Sequence, residues 1–544
     1  MAMMLSRLLD GLVPVAAKDD RPIEGLCADS RRVQPGHLFI ARRGGRFHAL
    51  DHAPEAVGRG AVAILAAEGD AAGLRAALGV PVFVLEDLVP ALGKVADRFH
   101  GEPSREVRVI GVTGTNGKTS VTHFIAQALA LAGQPSGLVG TLGMGPWGEL
   151  AAATHTTPDV LSVHAELARQ RDLGVRYVAM EVSSHALDQG RVTGVRFRAA
   201  VFTNLTHDHL DYHGDLHAYA RAKCRLFEEL QPEAAILNMD DALGRELLEG
   251  LQGRMPLWAY GLGAQPWSAG GASVVEARGL RLDADGLRID LHTPLGNGVL
   301  ESPLLGEFNA SNLLAALATL LELGMPMEDA LAHLGRVEAP AGRMERFAAP
   351  GHPLVVIDYA HTPDALDKTL RTLRRHARGR LFVVFGCGGE RDAAKRPRMG
   401  AVAAGLADRV VLTDDNPRGE DGDEIIRAIR AGMPQDFEVT ASSGSRRPYP
   451  AGASGMDAGR VFGTGSANRD LPHGKPEGDR PRMAGILVER DRRRAIALAM
   501  TEAAPEDIVL VAGKGHEDYQ EVAGERRPFS DRAVVLELLG EAAC

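Results

Sequence analysis

Residues 111–120 read "GVTGTNGKTS", and the reading of this stretch decides the fold. The run leading into it, "VRVIGVTG", is apolar and β-branched enough for a buried strand, and its glycines then force a turn. "KTSVTHFIAQALALAG" follows with helical spacing of its apolar residues and a terminal Gly133. Strand, glycine-rich turn and helix in this order cradle phosphates. Backbone N–H groups and the positive helix end face the anion, Lys118 meets the outer phosphates, and the Thr119 hydroxyl can take Mg2+. Five residues rather than the usual four separate Gly111 from Gly117, so the loop fits a shorter form, Gly114-Thr115-Asn116-Gly117-Lys118-Thr119, with Ser120 opening the helix behind it.

Outward from this loop, apolar runs alternate with helical stretches, the pattern of parallel-sheet α/β domains. "YVAMEVSS", "AAVFTNL" and "AAILNMDD" read as further strands, each ending in polar residues. A second series begins near residue 353 with "PLVVIDYAH", "RLFVVFGCGG", "DRVVLTDDNP" and "DIVLVAGKGHE". Each stops at a Gly, Asp or His cluster, and ligands of open α/β sheets bind beyond the carboxyl ends of strands, so these four loops are expected to share one crevice. The first hundred residues, with "GHLFIARRGG", "GAVAILAAEG" and "PVFVLED", read as a smaller α/β unit, bounded by "RFHGEPSRE". The hinge before the last domain is expected at "APAGRMERF". The expected division is therefore 1–105, 106–342 and 343–544: a small N-terminal α/β domain, a central phosphate-loop domain with a parallel-type sheet, and a Rossmann-like C-terminal domain. Residues of about 440–482 are rich in Gly, Ser, Pro and Arg, a composition that favours a disordered surface insertion.

A chain of 544 residues exceeds one core, and its 45% hydrophobic content suffices for several. The net charge of -10 leaves no basic footprint for nucleic acid or an anionic membrane, so anionic substrates must be handled by local sites. Cys27, Cys224, Cys387 and Cys544 lie far apart without a Cys-x-x-Cys pair, which argues against a zinc site or disulfide framework and fits a reducing compartment. "MAMMLSRLLDGLV" is interrupted by Arg7 and Asp10 and reads as a short helix rather than a signal peptide. No apolar run approaches the roughly 18 to 20 residues of a membrane span, so a cytoplasmic protein without membrane insertion is expected.

The variant loop is the one carried by Mur ligases and folylpolyglutamate synthetases. Downstream stand "TTPD", "MEVSSHALDQGR", "NLTHDHLDYHG", "YARAKCRLF", "NMDD", "GEFNASN", "GRME", "DYAHTPDAL", "FGCGGERDAAKRPRMG", "DDNPR" and "GKGHEDYQ". In order and spacing they resemble the Mur ligases that add the third residue of the peptidoglycan stem peptide, over nearly the whole chain outside the insertion. The resemblance implies that ATP activates the carboxylate of UDP-N-acetylmuramoyl-L-alanyl-D-glutamate to an acyl phosphate, which an amine then attacks. It implies Mg2+ held by Thr119, Glu181 and His209, and a CO2-derived carbamate on Lys223 that turns a repelling ammonium into an anion for a second Mg2+. From the residues alone, Lys223 reads as a helix-surface lysine.

The same resemblance assigns Ser30 to the uridine end of the substrate, and Thr156, Thr157, Ser183, Gln189 and Arg191 to its sugar and dipeptide. The family usually has Asp-Gly where this chain reads "FHALD". Asn309, Asp358, His361 and Lys395 are implied in ATP binding, with Arg343 reaching the γ-phosphate when the domains close and water is excluded.

"TDDNPRGED", residues 413–421, admits three readings. A calcium loop would need ligands at alternate positions and a distant Glu, which this spacing lacks. A turn is natural, since Asn-Pro is strong turn chemistry, Asp415 shapes it and Glu420 and Asp421 begin a helix. As a platform, Pro417 fixes the backbone and Arg418 projects to grip a carboxylate in a bidentate way. In the family, Asp415-Asn416-Pro417-Arg418 marks addition of meso-2,6-diaminopimelate, with Arg391, Gly513 and Glu517 completing the pocket and Glu517 meeting the distal ammonium. Addition of lysine or another amino acid, as in lysine-adding or folate-type ligases, and an inactive nucleotide-binding protein are the other readings. The partners expected are small molecules only, met by a monomer.

Overall fold

In the computed structural model the strand Arg108–Thr113 is buried from Val109 onward, because other strands pair with it on both edges and the helices Lys118–Leu131 and Leu216–Glu228 pack against it. It pairs in parallel with Tyr177–Glu181 and Phe197–Phe202 near the middle of a ten-stranded sheet. From edge to edge that sheet runs Gly296–Ser302, Gly286–Thr293, Ser273–Asp283, Leu257–Gly261, Ala235–Asn238, Phe197–Phe202, Arg108–Thr113, Tyr177–Glu181, Ser136–Gly140, Gly143–Pro146. The central pairings are parallel, while the hairpins Gly286–Thr293/Gly296–Ser302 and Ser136–Gly140/Gly143–Pro146 are antiparallel. Gly111 is required inside the strand, since a Cβ there would lie 2.7 Å from the Phe197 ring.

The structure describes residues 2–42, 49–67, 69, 71–153, 155–263, 269–434, 439–441 and 485–540. The insertion expected at about 440–482 falls outside them from residue 442, as do the first two residues of "FHALD" and Cys544. The chain forms two compact units, one of Met1–Arg281 with Leu287–Glu338 and the other of Leu282–Gly286 with Ala339–Cys544.

Within the first unit the N-terminal segment has its own four-stranded parallel sheet, ordered Gly25–Cys27, His37–Ala41, Ala63–Ala66, Val82–Val84. Its helix Leu88–Phe99 meets the turn at Thr193–Gly194 backbone to backbone: a Cβ on Gly93 would lie 2.3 Å from the Thr193 carbonyl oxygen. Among the described residues no helix is long and apolar enough to cross a membrane.

The second unit is built on a seven-stranded sheet ordered Glu345–Phe347, Leu354–Asp358, Ile508–Ala512, Leu381–Phe385, Arg409–Leu412, Ile486–Val488, Val439–Ala441. All pairings but the first are parallel. Four adjacent strands therefore end side by side at Asp358, Ala512, Phe385 and Leu412, and the four loops expected to share a crevice leave from these ends.

Candidate active site

In the first unit the phosphate loop is shaped by contacts only glycine allows. Gly114 has φ +152° and Gly117 φ +86°, and Cβ atoms there would lie 1.9 Å from Thr203 Oγ1 and 2.5 Å from Asn312 Oδ1. The loop is tied to the end of the neighbouring strand: Thr203 Oγ1 donates to the Asn116 carbonyl at 2.6 Å, and Asn116 N–H donates to Asn204 Oδ1 at 2.9 Å. Thr115 Oγ1 donates to the Thr206 carbonyl and accepts the Thr206 N–H. Lys118 Nζ donates to the Gly114 and Thr115 carbonyls at 2.9 and 3.0 Å, and Ser120 lies in the first turn of the helix Lys118–Leu131.

Glu181 ends its strand fully buried beside this loop. Its Oε2 accepts the Thr119 hydroxyl at 2.9 Å and its Oε1 the Thr141 N–H at 2.8 Å, while Gly140 leaves it space, since a Cβ there would lie 2.4 Å from Oε1. Burial raises the Glu181 carboxyl above its usual range, against the opposing pull of the Thr141 N–H and the Lys118 charge. Lys223, 1% exposed, lies with Nζ 4.2 Å from the centre of the Tyr219 ring. Burial, reinforced by Lys118, holds its ammonium well below the lysine range. His209 is half exposed in a left-handed backbone turn (φ +52°), beside His185 with ring centres 4.9 Å apart. Among the described residues, no three His, Cys, Asp or Glu side chains converge on one point.

The residues expected around the sugar and dipeptide form one network with Glu181. Thr156 Oγ1 accepts from Thr141 Oγ1 at 3.0 Å; Thr157 Oγ1 donates to the Glu181 carbonyl at 2.8 Å and accepts the Ser183 N–H. Ser183 also caps the helix Ser184–Asp188. Arg191 donates to the Thr157 carbonyl and twice to Gln189 Oε1. Ser30 lies in the N-terminal segment, its hydroxyl donating to Glu55 Oε2 at 2.7 Å. Asn309 is buried, with its amide spent on the Leu305 carbonyl and on Asn312. Asn312, the last residue of the quoted "GEFNASN", is the one that faces Gly117, and sequence reasoning passed it over.

In the second unit Arg343, Asp358, His361 and Lys395 gather around Tyr359. The Arg343 guanidinium stands 5.3 Å from the Tyr359 ring centre, and Lys395 Nζ donates to the His361 carbonyl at 2.8 Å. Asp358 accepts the Met344 and Ala360 N–H groups and the Thr369 hydroxyl, and burial raises its carboxyl.

The Asp-Asn-Pro-Arg turn packs between two glycine loops. Cβ atoms on Gly386, Gly389 and Gly513 would lie 2.1 Å from the Thr413 carbonyl oxygen, 1.9 Å from the Pro417 carbonyl oxygen and 2.4 Å from Asp415 Oδ2. Asn416 Nδ2 donates to Glu517 Oε2 at 2.9 Å. Asp415 is buried, which raises its carboxyl against the pull of Arg492 and Lys514, and Arg391 is exposed at the rim, with its Cγ near Gly388. One expectation gains further contacts and another needs correction. Arg418 owes its rigidity to more than Pro417: it is itself left-handed (φ +52°), and it is pinned by its N–H to the Glu521 carbonyl and by the Ala523 N–H to its own carbonyl. Its Nη1 donates to the Gly389 carbonyl at 2.8 Å and its Nε lies 3.7 Å from Glu521 Oε2. Glu420 does not begin the helix: Asp421 caps Gly422–Arg430, and Glu420 turns back to the Glu390 N–H and Arg396 because that pairing satisfies it locally. Sequence reasoning also passed over Lys514, fully buried within "GKGHE".

A loop of this build defines a class, the enzymes that handle nucleoside triphosphates. Two family models narrow it, the Mur ligase middle domain over residues 112–320 and the Mur ligase, glutamate ligase domain over 342–446. The chain belongs to the Mur ligase family. It is 46% identical, over 99% of both chains, to the UDP-N-acetylmuramoyl-L-alanyl-D-glutamate–2,6-diaminopimelate ligase of Alkalilimnicola ehrlichii. It is also 46% identical, over 96% of both, to the protein of the same name from Pseudomonas aeruginosa. A solved structure bearing that name is 32% identical and superimposes with a TM-score of 0.72 over 99% of both chains.

Proposed function

We propose that the protein is an ATP-dependent ligase joining meso-2,6-diaminopimelate to UDP-N-acetylmuramoyl-L-alanyl-D-glutamate in peptidoglycan precursor synthesis, as a cytoplasmic monomer of three domains divided near residues 105 and 342. The observation that carries this reading is the 46% identity, over nearly the whole of both chains, to ligases of that name. The substrate carboxylate takes the γ-phosphoryl group of ATP, ADP leaves, the amine attacks the acyl carbon, and phosphate departs. Both partners of the first step are anions, so positioning and cationic stabilisation dominate. Residues 114–120 cradle the phosphates, with Lys118 on the outer ones, and Asn309, Arg343, Asp358, His361 and Lys395 serve the nucleotide. Ser30, Thr156, Thr157, Ser183, Gln189 and Arg191 hold the UDP substrate.

The donors suit Mg2+, a hard cation that prefers oxygen: a hydroxyl at Thr119 and a buried carboxylate at Glu181, whose charge burial leaves in need of a counter-ion. Thr119, Glu181, His209 and a carbamylated Lys223 would hold it, and bound Mg2+ would neutralise charge on the transferring phosphoryl group. Only a neutral amine adds to CO2, forming the N–C bond and releasing one proton. Burial disfavours the charged form of Lys223 and so favours that amine.

Arg418 is assigned to the distal carboxylate of the amino acid, and Asp415, Asn416, Pro417, Gly513, Glu517 and Arg391 to the rest of it. Lysine lacks that carboxylate and would leave the guanidinium short of a partner, at a cost of roughly ten- to hundredfold per charged hydrogen bond. Incubation with ATP, Mg2+, UDP-muramoyl-dipeptide and either diaminopimelate or L-lysine, followed by mass spectrometry, tests the proposal. The diaminopimelate tripeptide is expected to dominate. Preferential lysine product would overturn the substrate assignment, and no product with either amine the activity.

A further inference from the structure

Lys514 is fully buried, and its ammonium is satisfied in full. Nζ donates to the Tyr519 carbonyl at 2.8 Å, to Asn416 Oδ1 at 2.9 Å and to Glu517 Oε2 at 3.3 Å, which uses all three of its hydrogens. Asp415 Oδ1 stands 3.9 Å away. The consequence falls on Asn416. Its Oδ1 also accepts the Glu521 N–H at 3.0 Å. An ammonium and a backbone N–H can only donate, so the amide oxygen must face them and the amide nitrogen must face Glu517, to which it donates at 2.9 Å. A flipped Asn416 would set its nitrogen against two donors. Among the described residues, both hydrogen bonds drawn to the Glu517 carboxylate end on Oε2.

We infer that Lys514 is a positioning residue for the incoming amino acid: it fixes the Asn416 amide and one oxygen of Glu517, so that the other oxygen is presented to a substrate ammonium. The inference rests on the proposed diaminopimelate-adding reading. Lys514 touches no substrate itself and acts through Asn416 and Glu517, tying the turn after Arg409–Leu412 to the loop after Ile508–Ala512.

Lys514→Met keeps the length and volume of the side chain and removes the donors. In the full-length enzyme its KM for diaminopimelate is expected to rise roughly ten- to hundredfold, with kcat within a few-fold and the KM for ATP unchanged. Lys514→Gln, which retains a donor for Asn416, is expected to recover part of the loss and carries the test if the Met variant does not fold. In a double-mutant cycle with Glu517→Gln, Lys514→Met should add little, because both changes act on the presentation of the same Glu517 carboxylate. A lowered melting temperature with unchanged KM for diaminopimelate, or full additivity with Glu517→Gln, would overturn the inference while leaving the ligase reading intact. A wild-type enzyme that joins no diaminopimelate overturns both.

Discussion

Two lysines are buried among the described residues, and their surroundings differ in kind. Lys514 in the second unit has three oxygen acceptors, one of them the Glu517 carboxylate, with the Asp415 carboxylate nearby, and Arg492 pairs with Asp531 through two hydrogen bonds of 2.7 Å, both side chains wholly buried. The Lys223 side chain in the first unit makes no hydrogen bond among the described residues, lies over the Tyr219 ring and feels the charge of Lys118. Burial disfavours the charged form at both, but one site surrounds its lysine with acceptors while the other sets its lysine over a ring and beside a second cation. Pairing gives a cluster whose side chains are fixed by their own hydrogen bonds, the build that a preorganised site needs. Suppression gives an amine that is costly to keep charged and therefore available for chemistry.

The strongest way to break this contrast is Lys223→Met. If Lys223 serves chemistry rather than packing, the variant should lose activity by roughly three orders of magnitude, the scale of removing an anionic metal ligand from a phosphoryl-transfer site. Its melting temperature should stay level or rise, since an apolar chain of similar length replaces a desolvated amine. A melting temperature that falls by many degrees with activity largely retained would return Lys223 to the structural class.

The paired side of the comparison is tested by Asp531→Ala. Arg492 would be left buried with the Ala512 carbonyl as its one hydrogen-bond acceptor among the described residues, a change expected to cost about 3 kcal/mol, since breaking a buried pair strands a charge. All three tryptophans of the chain, Trp147, Trp258 and Trp267, precede the second unit's main segment, so fluorescence is blind to this change. Hydrogen exchange in the strand Ile508–Ala512 should accelerate by about a hundredfold, with the strand Arg108–Thr113 unaffected.

The architecture was legible because it is written in long apolar runs. Four strands of the second unit stop at Gly, Asp or His clusters, and their order in the sheet makes those clusters neighbours. The phosphate loop was legible because its glycines are demanded by local backbone geometry. What could not be read depends on partners distant in sequence. Lys223 and Lys514 look alike as residues, and only packing separates an amine over a ring from an ammonium among oxygens. Asn309 and Asn312 share one short motif, and helix phase decides that Asn312 faces the loop. Arg418 was expected to lean on Pro417, but its pinning partners, Glu521 and Ala523, lie about the strand Tyr519–Val522, far along the chain.

The same contrast predicts a smaller effect on acid stability. His123, in the helix behind the phosphate loop, is buried against Trp147 at 5.5 Å between ring centres, and its Nδ1 lies 3.0 Å from the Thr119 carbonyl, which assigns the proton to Nδ1. Burial lowers its pKa to about 4, against the opposing pull of that carbonyl. Between pH 6.5 and 4 the unfolded chain therefore binds the proton and the folded chain does not. The stability linked to His123 is fully present above pH 6.5 and is lost as pH falls toward 4. At pH 5.5 the loss amounts to about 1 kcal/mol relative to pH 7.5. His123→Gln can still donate to the Thr119 carbonyl but does not titrate, so its tryptophan-reported urea midpoint should fall less than that of the wild type between these two pH values. Equal falls would mean that His123 is protonated within the fold, and that suppression of charge around this loop is confined to Lys223.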